Sequence, residues 1–148
     1  MTIHFPPVQD FDRLPFNEAN RIVYDELLPY CQSKGVQLCQ YGNLNSHLAY
    51  RDFQDPSHAY YTGFSHQTLL NIGRIQRAYR FLPDFVTPTS KYQINSDRLA
   101  RMVEVIQEEH LSNGDLIAAM LMRGYAARFA KRGGASQVDA EFKAKRLV

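Results

Sequence analysis

The stretch HLSNGDLIAAMLMRG, residues 110–124, decides how the C-terminal part of this chain folds. A charged helical pattern, DRLARMVEVIQEEH (97–110), precedes it, and two basic alternating segments, YAARFAKR (125–132) and VDAEFKAKRLV (138–148), follow it. A helix, a tight turn, a second helix and a hairpin follow one another in winged-helix proteins, whose second helix enters the major groove of DNA. The quoted stretch is therefore either a recognition helix or a helix of the core.

The helix predicted over residues 115–123 is apolar on every side, because its charged residues, Asp115 and Arg123, stand at its two ends. A helix that is apolar all round is a buried helix, whereas a recognition helix needs polar side chains that reach base edges. We therefore predict a core helix with Ser112 or Asn113 as its N-cap. The residues expected to be buried are Leu116, Ile117, Ala119, Met120 and Leu121.

The two segments after this helix alternate in polarity around the turn-forming run GGASQ, which predicts a β-hairpin. Its inner face would carry Tyr125, Ala127, Phe129, Ala140, Phe142 and Ala144. Its outer face and ends would carry the basic residues Arg128, Lys131, Arg132, Lys143, Lys145 and Arg146. Residues 123–148 hold seven basic and two acidic side chains, against four and seven in residues 1–63. This positive charge permits a phosphate-rich partner, gripped without reading its sequence.

The first third of the chain is predicted to contain an arm, a helix and a hairpin. Residues 1–16 contain three prolines and should form an extended N-terminal arm. A helix should then run from an N-cap at Asn17 to a stop at Gly35, with a kink or an end at Pro29. The alternating runs VQLCQY and SHLAYRDF, within residues 36–53, predict a hairpin around the turn YGNLN.

Two further helices precede the quoted stretch. Ser65 would cap a helix over HQTLLNIGRIQRAYRFL that Pro83 ends, and Ser96 would cap the next one after an irregular connector. The second of these helices has the apolar stripe Leu99, Met102, Val103 and Ile106. The first has the apolar arc Leu69, Ile72, Ile75, Tyr79 and Leu82 beside an arginine arc of Arg74, Arg77 and Arg80. We regard this arginine arc as a second candidate surface for phosphates.

Residues 41–66 offer two further kinds of candidate site. His47, His58 and His66 lie among aspartates and tyrosines and could assemble a metal or acid–base site. Their spacing matches no metal or catalytic template, so we expect that they do not converge. The aromatic residues of this region would belong to the core, anchor a protein interface or stack on bases, and they are Tyr41, Tyr50, Phe53, Tyr60, Tyr61 and Phe64.

The sequence has no nucleophile motif, phosphate loop or CxxC pair, so we predict no catalytic residue, no metal and no cofactor. Cys31 and Cys39 are expected to be reduced structural thiols. The chain of 148 residues contains no apolar run near the ~18 residues of a membrane span. Its N-terminal sequence lacks the pattern of a signal peptide. We therefore expect a single cytoplasmic domain over residues 1–148 that has no membrane contact.

The runs SNGDLIAAMLMRGY (112–125) and AEFKAKR (140–146) carry a resemblance. They resemble the C-terminal end of small, mostly uncharacterised proteins of bacterial plasmids, integrative elements and phages. The resemblance implies an accessory protein and carries over no functional residue.

Together these patterns predict a mainly helical α+β domain in which residues 96–148 form a helix-turn-helix followed by a β-hairpin, like a winged helix. The function they favour is non-enzymatic binding of nucleic acid, without sequence specificity, through the basic hairpin. The alternative is a protein-binding adaptor or inhibitor that uses the aromatic residues of segment 41–64. A third hypothesis is an enzyme built on the three histidines.

Overall fold

The structure, a computed structural model, describes residues 2–43, 69–129 and 138–147, together with the backbone of residues 131–132 and 135–136. These residues form an α+β domain of helices and antiparallel strands, as the sequence predicts. The helical segments are α1 (Phe16–Arg21), a π-helical segment (Ile22–Leu27), α2 (Leu28–Ser33), α3 (Ile72–Phe81), α4 (Ser96–Gln107) and α5 (Asn113–Met122). Short 3₁₀ turns cover Phe11–Arg13 and Leu82–Asp84.

The strands are short and depend on pairing between distant parts of the chain. They are β1 (Thr2–Ile3), β2 (Leu38–Cys39), β3 (Gly42–Asn43), β4 (Val86–Pro88), β5 (Ile94–Asn95), β6 (Ala127–Arg128), β7 (Lys131–Arg132), β8 (Ala135–Ser136), β9 (Glu141–Phe142) and β10 (Ala144–Arg146). Four of them form an antiparallel sheet in the order β1-β6-β9-β5. The remaining pairs are β4 with β10, β2 with β3, and β7 with β8.

The first helix is not ended by Pro29, because the chain passes from α1 through the π-helical segment into α2. A proline ring inside an α-helix collides with the carbonyl group four residues earlier, here that of Asp25. The π-helical segment widens the backbone immediately before the proline. There the Leu28 N–H bonds the Val23 carbonyl oxygen, five residues back instead of four. The wider turn makes room for the ring and lets the helix continue.

The ends of the first helices differ partly from the prediction. α1 begins after Pro15 instead of Asn17, and its first turn carries no side-chain cap. Gly35, with φ of 79°, follows the end of α2 as predicted, since this backbone conformation favours glycine. α3 is capped by Asn71, whereas the predicted cap, Ser65, lies outside the described residues.

The cap of α4 is one residue earlier than predicted. Asn95 Oδ1 accepts the Arg98 N–H at 3.0 Å, which is the usual capping bond. Ser96, the predicted cap, instead accepts the Ala140 N–H through its Oγ at 3.0 Å. Asn95 therefore caps the helix, while Ser96 holds the backbone of residue 140 beside it.

α5 is the centre of the core. Every residue from Asn113 to Met122 is buried, and Leu116, Ile117, Ala119, Met120 and Leu121 have no exposed surface. The helix packs against α3 and α4. Ser112 caps it as predicted, by accepting the Asp115 N–H at 3.1 Å. A helix enclosed on all sides cannot enter a groove of DNA, so the core interpretation is confirmed and the recognition helix is excluded.

The apolar faces of α3 and α4 match the prediction except at two residues. The buried residues of the α3 arc are Ile72, Ile75, Tyr79 and Leu82. Leu69 precedes α3 and is 47% exposed, and Ile106 of α4 is 56% exposed. The buried stripe of α4 consists of Ser96, Leu99, Ala100 and Val103, with Met102 partly buried beside it. Ile106 lies at the edge of this stripe and in the last turn of α4, which ends at Gln107.

The sheet aligns residues from four distant segments across each of its faces. The N-terminal arm takes part in it, because Thr2–Ile3 is the edge strand β1 and not merely extended chain. The row that faces the core is Ile3, Ala127, Phe142 and Ile94, all buried. The row on the outer face is Thr2, Arg128, Glu141 and Asn95.

The C-terminal segment, where the sequence predicts a hairpin, forms several short antiparallel pairs. β6 pairs with β9 and β7 with β8, while β9 lies inside the sheet between β6 and β5. β10 leaves the hairpin and pairs with β4. Of the predicted inner face, Ala127, Phe129, Ala140, Phe142 and Ala144 are buried and Tyr125 is partly buried. The connector over residues 83–95, predicted to be irregular, supplies both β4 and β5.

Part of the first predicted hairpin is described. Leu38–Cys39 pairs antiparallel with Gly42–Asn43, while the predicted return strand, residues 46–53, lies outside the described residues. Gly42 has φ of 119°, a conformation that glycine supplies and that lets the chain turn back early. The hairpin closes over the start of α5, where a Cβ on Gly114 would collide with the carbonyl oxygen of Cys39.

Candidate nucleic-acid interface

The loop between β4 and β5, which we call the Tyr92 loop, places the Tyr92 side chain on the outer face of the sheet. At one end the Thr89 N–H donates to the Lys143 carbonyl oxygen at 3.1 Å, and at the other the Gln93 N–H donates to that of Phe142 at 3.0 Å. The two acceptors are adjacent residues, so the residues between the two donors bulge out of the strand pairing. Tyr92 belongs to this bulged segment, and its ring lies over the neighbouring strands.

Tyr92 brings two cations together. The Cζ atom of Arg128 lies 4.4 Å from the ring centroid, and the Nζ atom of Lys143 lies 5.2 Å from it. The Tyr92 hydroxyl is 3.1 Å from Oγ1 of Thr2, on the opposite edge of the sheet. A cation on the face of an aromatic ring gains about 0.5–1 kcal/mol at an exposed site. The ring therefore holds both positive charges in fixed positions on the outer face.

Glu141 partly neutralises this surface. Its Oε1 accepts from Nε of Arg128 at 3.2 Å, in a half-exposed ion pair. Asp139, the other acidic residue of the C-terminal segment, is held by amide groups instead. Its two oxygens accept from Asn95 at 3.2 Å and from Asn113 at 2.8 Å. A half-exposed ion pair gains little energy, and the remaining cations of this surface keep their charge.

A groove lies beside the Tyr92 loop, between α4 and β10. Two arginines line it, Arg98 from the first turn of α4 and Arg146 from β10, and both are exposed. Glu141 and the side of β5 complete its walls, and Ile94 and Leu99 are its buried apolar residues. Arg98 extends the positive charge of the C-terminal segment onto a helix.

We call five residues of this region the cationic face, namely Arg98, Arg128, Lys143, Lys145 and Arg146. Of these, only Arg128 forms an ion pair with any residue in the described ranges. Arg21, Arg77, Arg80 and Arg101 elsewhere are paired with carboxylates. Other cations outside this region also lack an ion pair in the described ranges, so what distinguishes the region is that Arg128 and Lys143 meet at one ring and Arg98 and Arg146 line one groove.

The structure brings together part of the predicted basic set. Arg128 and Lys143 meet at Tyr92, and Arg146 faces the groove beside them. Lys145 is exposed on β10. Lys131 and Arg132 belong to β7, and their side chains lie outside what the structure describes.

Sequence reasoning missed Tyr92 and Arg98. Tyr92 stands in a connector that showed no periodicity, and its position depends on the pairing of β4 and β5 with distant strands. Arg98 carried a weak signal, since it begins a helix on the polar side of its apolar stripe. Nothing in the sequence places that helix end beside β10.

The arginine arc on α3 is less suited to bind phosphates. Arg77 is paired with Glu109 and also donates to the Gln107 carbonyl oxygen. Arg80 is paired with Asp12, at 3.3 Å between Nε and Oδ2. Two of the three guanidinium groups are therefore already neutralised by carboxylates of this chain.

The other candidate residues lie mostly beyond the described ranges. These are His47, His58 and His66 of the histidine set and Tyr50, Phe53, Tyr60, Tyr61 and Phe64 of the aromatic set. Tyr41 is half-buried against Cys39 and Val138, and its carbonyl oxygen accepts from Asn113 at 2.9 Å. In the described ranges, no cluster of His, Cys, Asp and Glu side chains suits a metal ion, and no helix has the length and apolarity to cross a bilayer.

Both cysteines are buried and unpaired, as predicted. Burial raises the pKa of the Cys31 thiol to about 12, and it raises the pKa of the Cys39 thiol as well. Since the thiolate is the reactive form, neither cysteine is suited to nucleophilic chemistry at neutral pH.

Comparison of the chain with protein-family models, curated proteins and solved structures found no match. The resemblance carried by residues 112–125 and 140–146 therefore stays a prediction. Function has to be argued from the surface of the molecule itself.

Proposed function

We propose that this protein binds nucleic acid without catalysing a reaction and that the cationic face contacts the phosphates. The observation that carries the proposal is the clustering of cations from distant segments. Arg128 and Lys143 lie against one ring, that of Tyr92, and Arg98 and Arg146 line the groove beside it. Of these four, Arg98, Lys143 and Arg146 form no ion pair within the described ranges. A polyanion would supply the missing negative charge.

The expected contacts are electrostatic and independent of sequence. Lysine and arginine contacts to phosphate position a protein on nucleic acid without reading bases. The C-terminal hairpin would act in the manner of a wing, with β6 and β9 holding it in the sheet, while α5 supports it from the core. Tyr92 favours binding because it fixes Arg128 and Lys143 before the ligand arrives, which lowers the entropy lost on binding.

The test compares two double variants that remove the same charge. Lys143→Ala/Arg146→Ala removes two unpaired cations of the cationic face, and Arg21→Ala/Arg80→Ala removes two cations that are ion-paired elsewhere. Binding to a labelled oligonucleotide is measured by fluorescence anisotropy between about 50 and about 200 mM salt. The first variant should bind more weakly, and its log–log salt dependence should be flatter by about 0.7–0.9 per lost phosphate contact.

The control variant should keep the affinity and salt dependence of the wild type. Equal weakening in both variants would mean that net charge matters and the cationic face does not. Absence of binding by the wild type at about 50 mM salt, where electrostatic binding is strong, would refute the proposal. The adaptor hypothesis for segment 41–64 would then take its place.

A further inference from the structure

The groove beside the Tyr92 loop has properties that phosphate binding does not use. It holds about 400 Å³, and Ile94 and Leu99 lie buried beneath it. Pockets for small ligand groups commonly occupy about 300–1,000 Å³. The groove is therefore large enough for a flat aromatic base.

Two side chains that line this groove have polar atoms without a hydrogen bond to any described residue. Glu141 uses Oε1 for Arg128, and its Oε2 accepts no hydrogen bond from the described residues. Gln93 is exposed, and its side-chain amide has no bond with any residue in the described ranges. A carboxylate oxygen accepts hydrogen bonds and an amide both donates and accepts. Together they suit the edge of a nucleobase and would repel a phosphate at the Glu141 side.

The two arginines provide the remaining element of such a site. Arg98 and Arg146 line the groove from α4 and from β10. Guanidinium groups stack on the faces of unpaired bases, and bases become accessible for this only where they are not paired in a duplex. In a duplex the base edges and faces that the groove would contact are engaged with the other strand.

We propose that the groove lined by Gln93, Arg98, Glu141 and Arg146 holds one unpaired nucleobase, so that the protein prefers single-stranded nucleic acid. This inference rests on the proposed function, since the phosphates on either side of the base would meet the cationic face. The free oxygen of Glu141 can accept from an amino group or from the ring N–H of an unpaired pyrimidine, so the site distinguishes a strand with bases from one without them.

The experiment uses four labelled DNA probes of equal length with the full chain. They are a single strand of deoxycytidines, a single strand of thymidines, an abasic strand with the same phosphates, and a duplex. The deoxycytidine strand should bind at least about fivefold more tightly than the abasic strand, the lower end of what stacking of one base provides. The thymidine strand should likewise bind more tightly than the abasic strand, and the duplex should bind more weakly than either strand with bases.

Glu141→Gln should strengthen binding of the abasic strand and reduce the selectivity for strands with bases. The variant loses the charge that neutralises Arg128, so the abasic strand should bind more tightly than it binds to the wild type. It also replaces a charged acceptor by a weaker, neutral amide, so the advantage of the deoxycytidine strand over the abasic strand should shrink. Gln93→Ala, which leaves the charge unchanged, should weaken binding of the strands with bases but not of the abasic strand.

The outcomes separate this inference from the proposed function. Equal, salt-sensitive binding of the abasic and deoxycytidine strands would overturn the base site and leave the phosphate contacts intact. Binding of the duplex as tightly as the single strand would also overturn it. No binding of any probe would refute both the site and the proposed function.

Discussion

Replacing Leu121 by alanine should destabilise the protein strongly and leave its binding surface unchanged. Leu121 has no exposed surface and lies in α5, the helix that packs against both α3 and α4. Removing a buried leucine side chain costs about 2–5 kcal/mol, because apolar contacts are lost and a cavity remains. For a domain of 148 residues, in which 1 kcal/mol shifts Tm by about 2–4 °C, this corresponds to about 4–20 °C.

The matched control is Val105→Ala on α4. Val105 is 78% exposed, so its truncation should change the free energy of unfolding by no more than about 0.5 kcal/mol. Both variants are compared with the wild type by circular dichroism, in thermal melts and in urea titrations. At a temperature where Leu121→Ala is still folded, it should bind the oligonucleotide like the wild type.

Two results would refute this reasoning. A Leu121→Ala variant as stable as Val105→Ala would mean that α5 does not form the core. A folded Leu121→Ala variant that has lost oligonucleotide binding, with stability unchanged, would mean that α5 contacts the ligand directly. The recognition-helix hypothesis would then have to be restored.

Two further predictions concern Asp115 and Tyr92. Burial raises the pKa of the Asp115 carboxyl above its usual 3.8, so the folded state holds the proton more tightly than the unfolded state, and stability falls as pH rises from about 4 through the raised pKa. Asp115→Asn should remove this fall. In urea titrations from pH 4 to pH 7, the stability of the variant relative to the wild type should therefore increase with pH. A difference that does not change with pH would contradict the raised pKa of Asp115. Tyr92→Ala should weaken oligonucleotide binding about two- to fivefold, because Arg128 and Lys143 lose the ring that fixes them. Tyr92→Phe, which keeps the ring, should bind nearly as the wild type does, and equal loss in both variants would mean that the hydroxyl contact with Thr2 is what matters.

Local periodicity was sufficient to predict the core of this fold. The all-round apolar character of α5 indicated its burial, and the alternation after it separated Phe142 from Lys143 correctly. These assignments depend only on where side chains fall along a helix or a strand. They require no knowledge of which distant segment is the neighbour.

The candidate site depends on pairing between distant segments, which the local periodicity of the sequence does not reveal. β9 lies between β6 and β5, and β10 pairs with β4, through contacts between segments about fifty residues apart in sequence. These pairings set the Tyr92 loop across the sheet and Arg146 beside Arg98. The sequence predicted that the basic residues of the C-terminal segment would be exposed. It could not predict which aromatic ring and which helix end they would meet.

The π-helical segment before Pro29 has a consequence far from its own position. It holds one residue more than an α-helical turn, so every side chain after it is rotated by about 100° relative to a regular continuation. Tyr30 is the first side chain after the proline, and its hydroxyl accepts the His4 N–H at 2.9 Å and donates to the His4 carbonyl oxygen at 3.0 Å. That pair of bonds anchors the chain next to β1, whose Thr2 meets Tyr92. A proline in the middle of a helix thereby affects the position of β1, the sheet edge whose Thr2 meets the Tyr92 hydroxyl of the candidate binding surface.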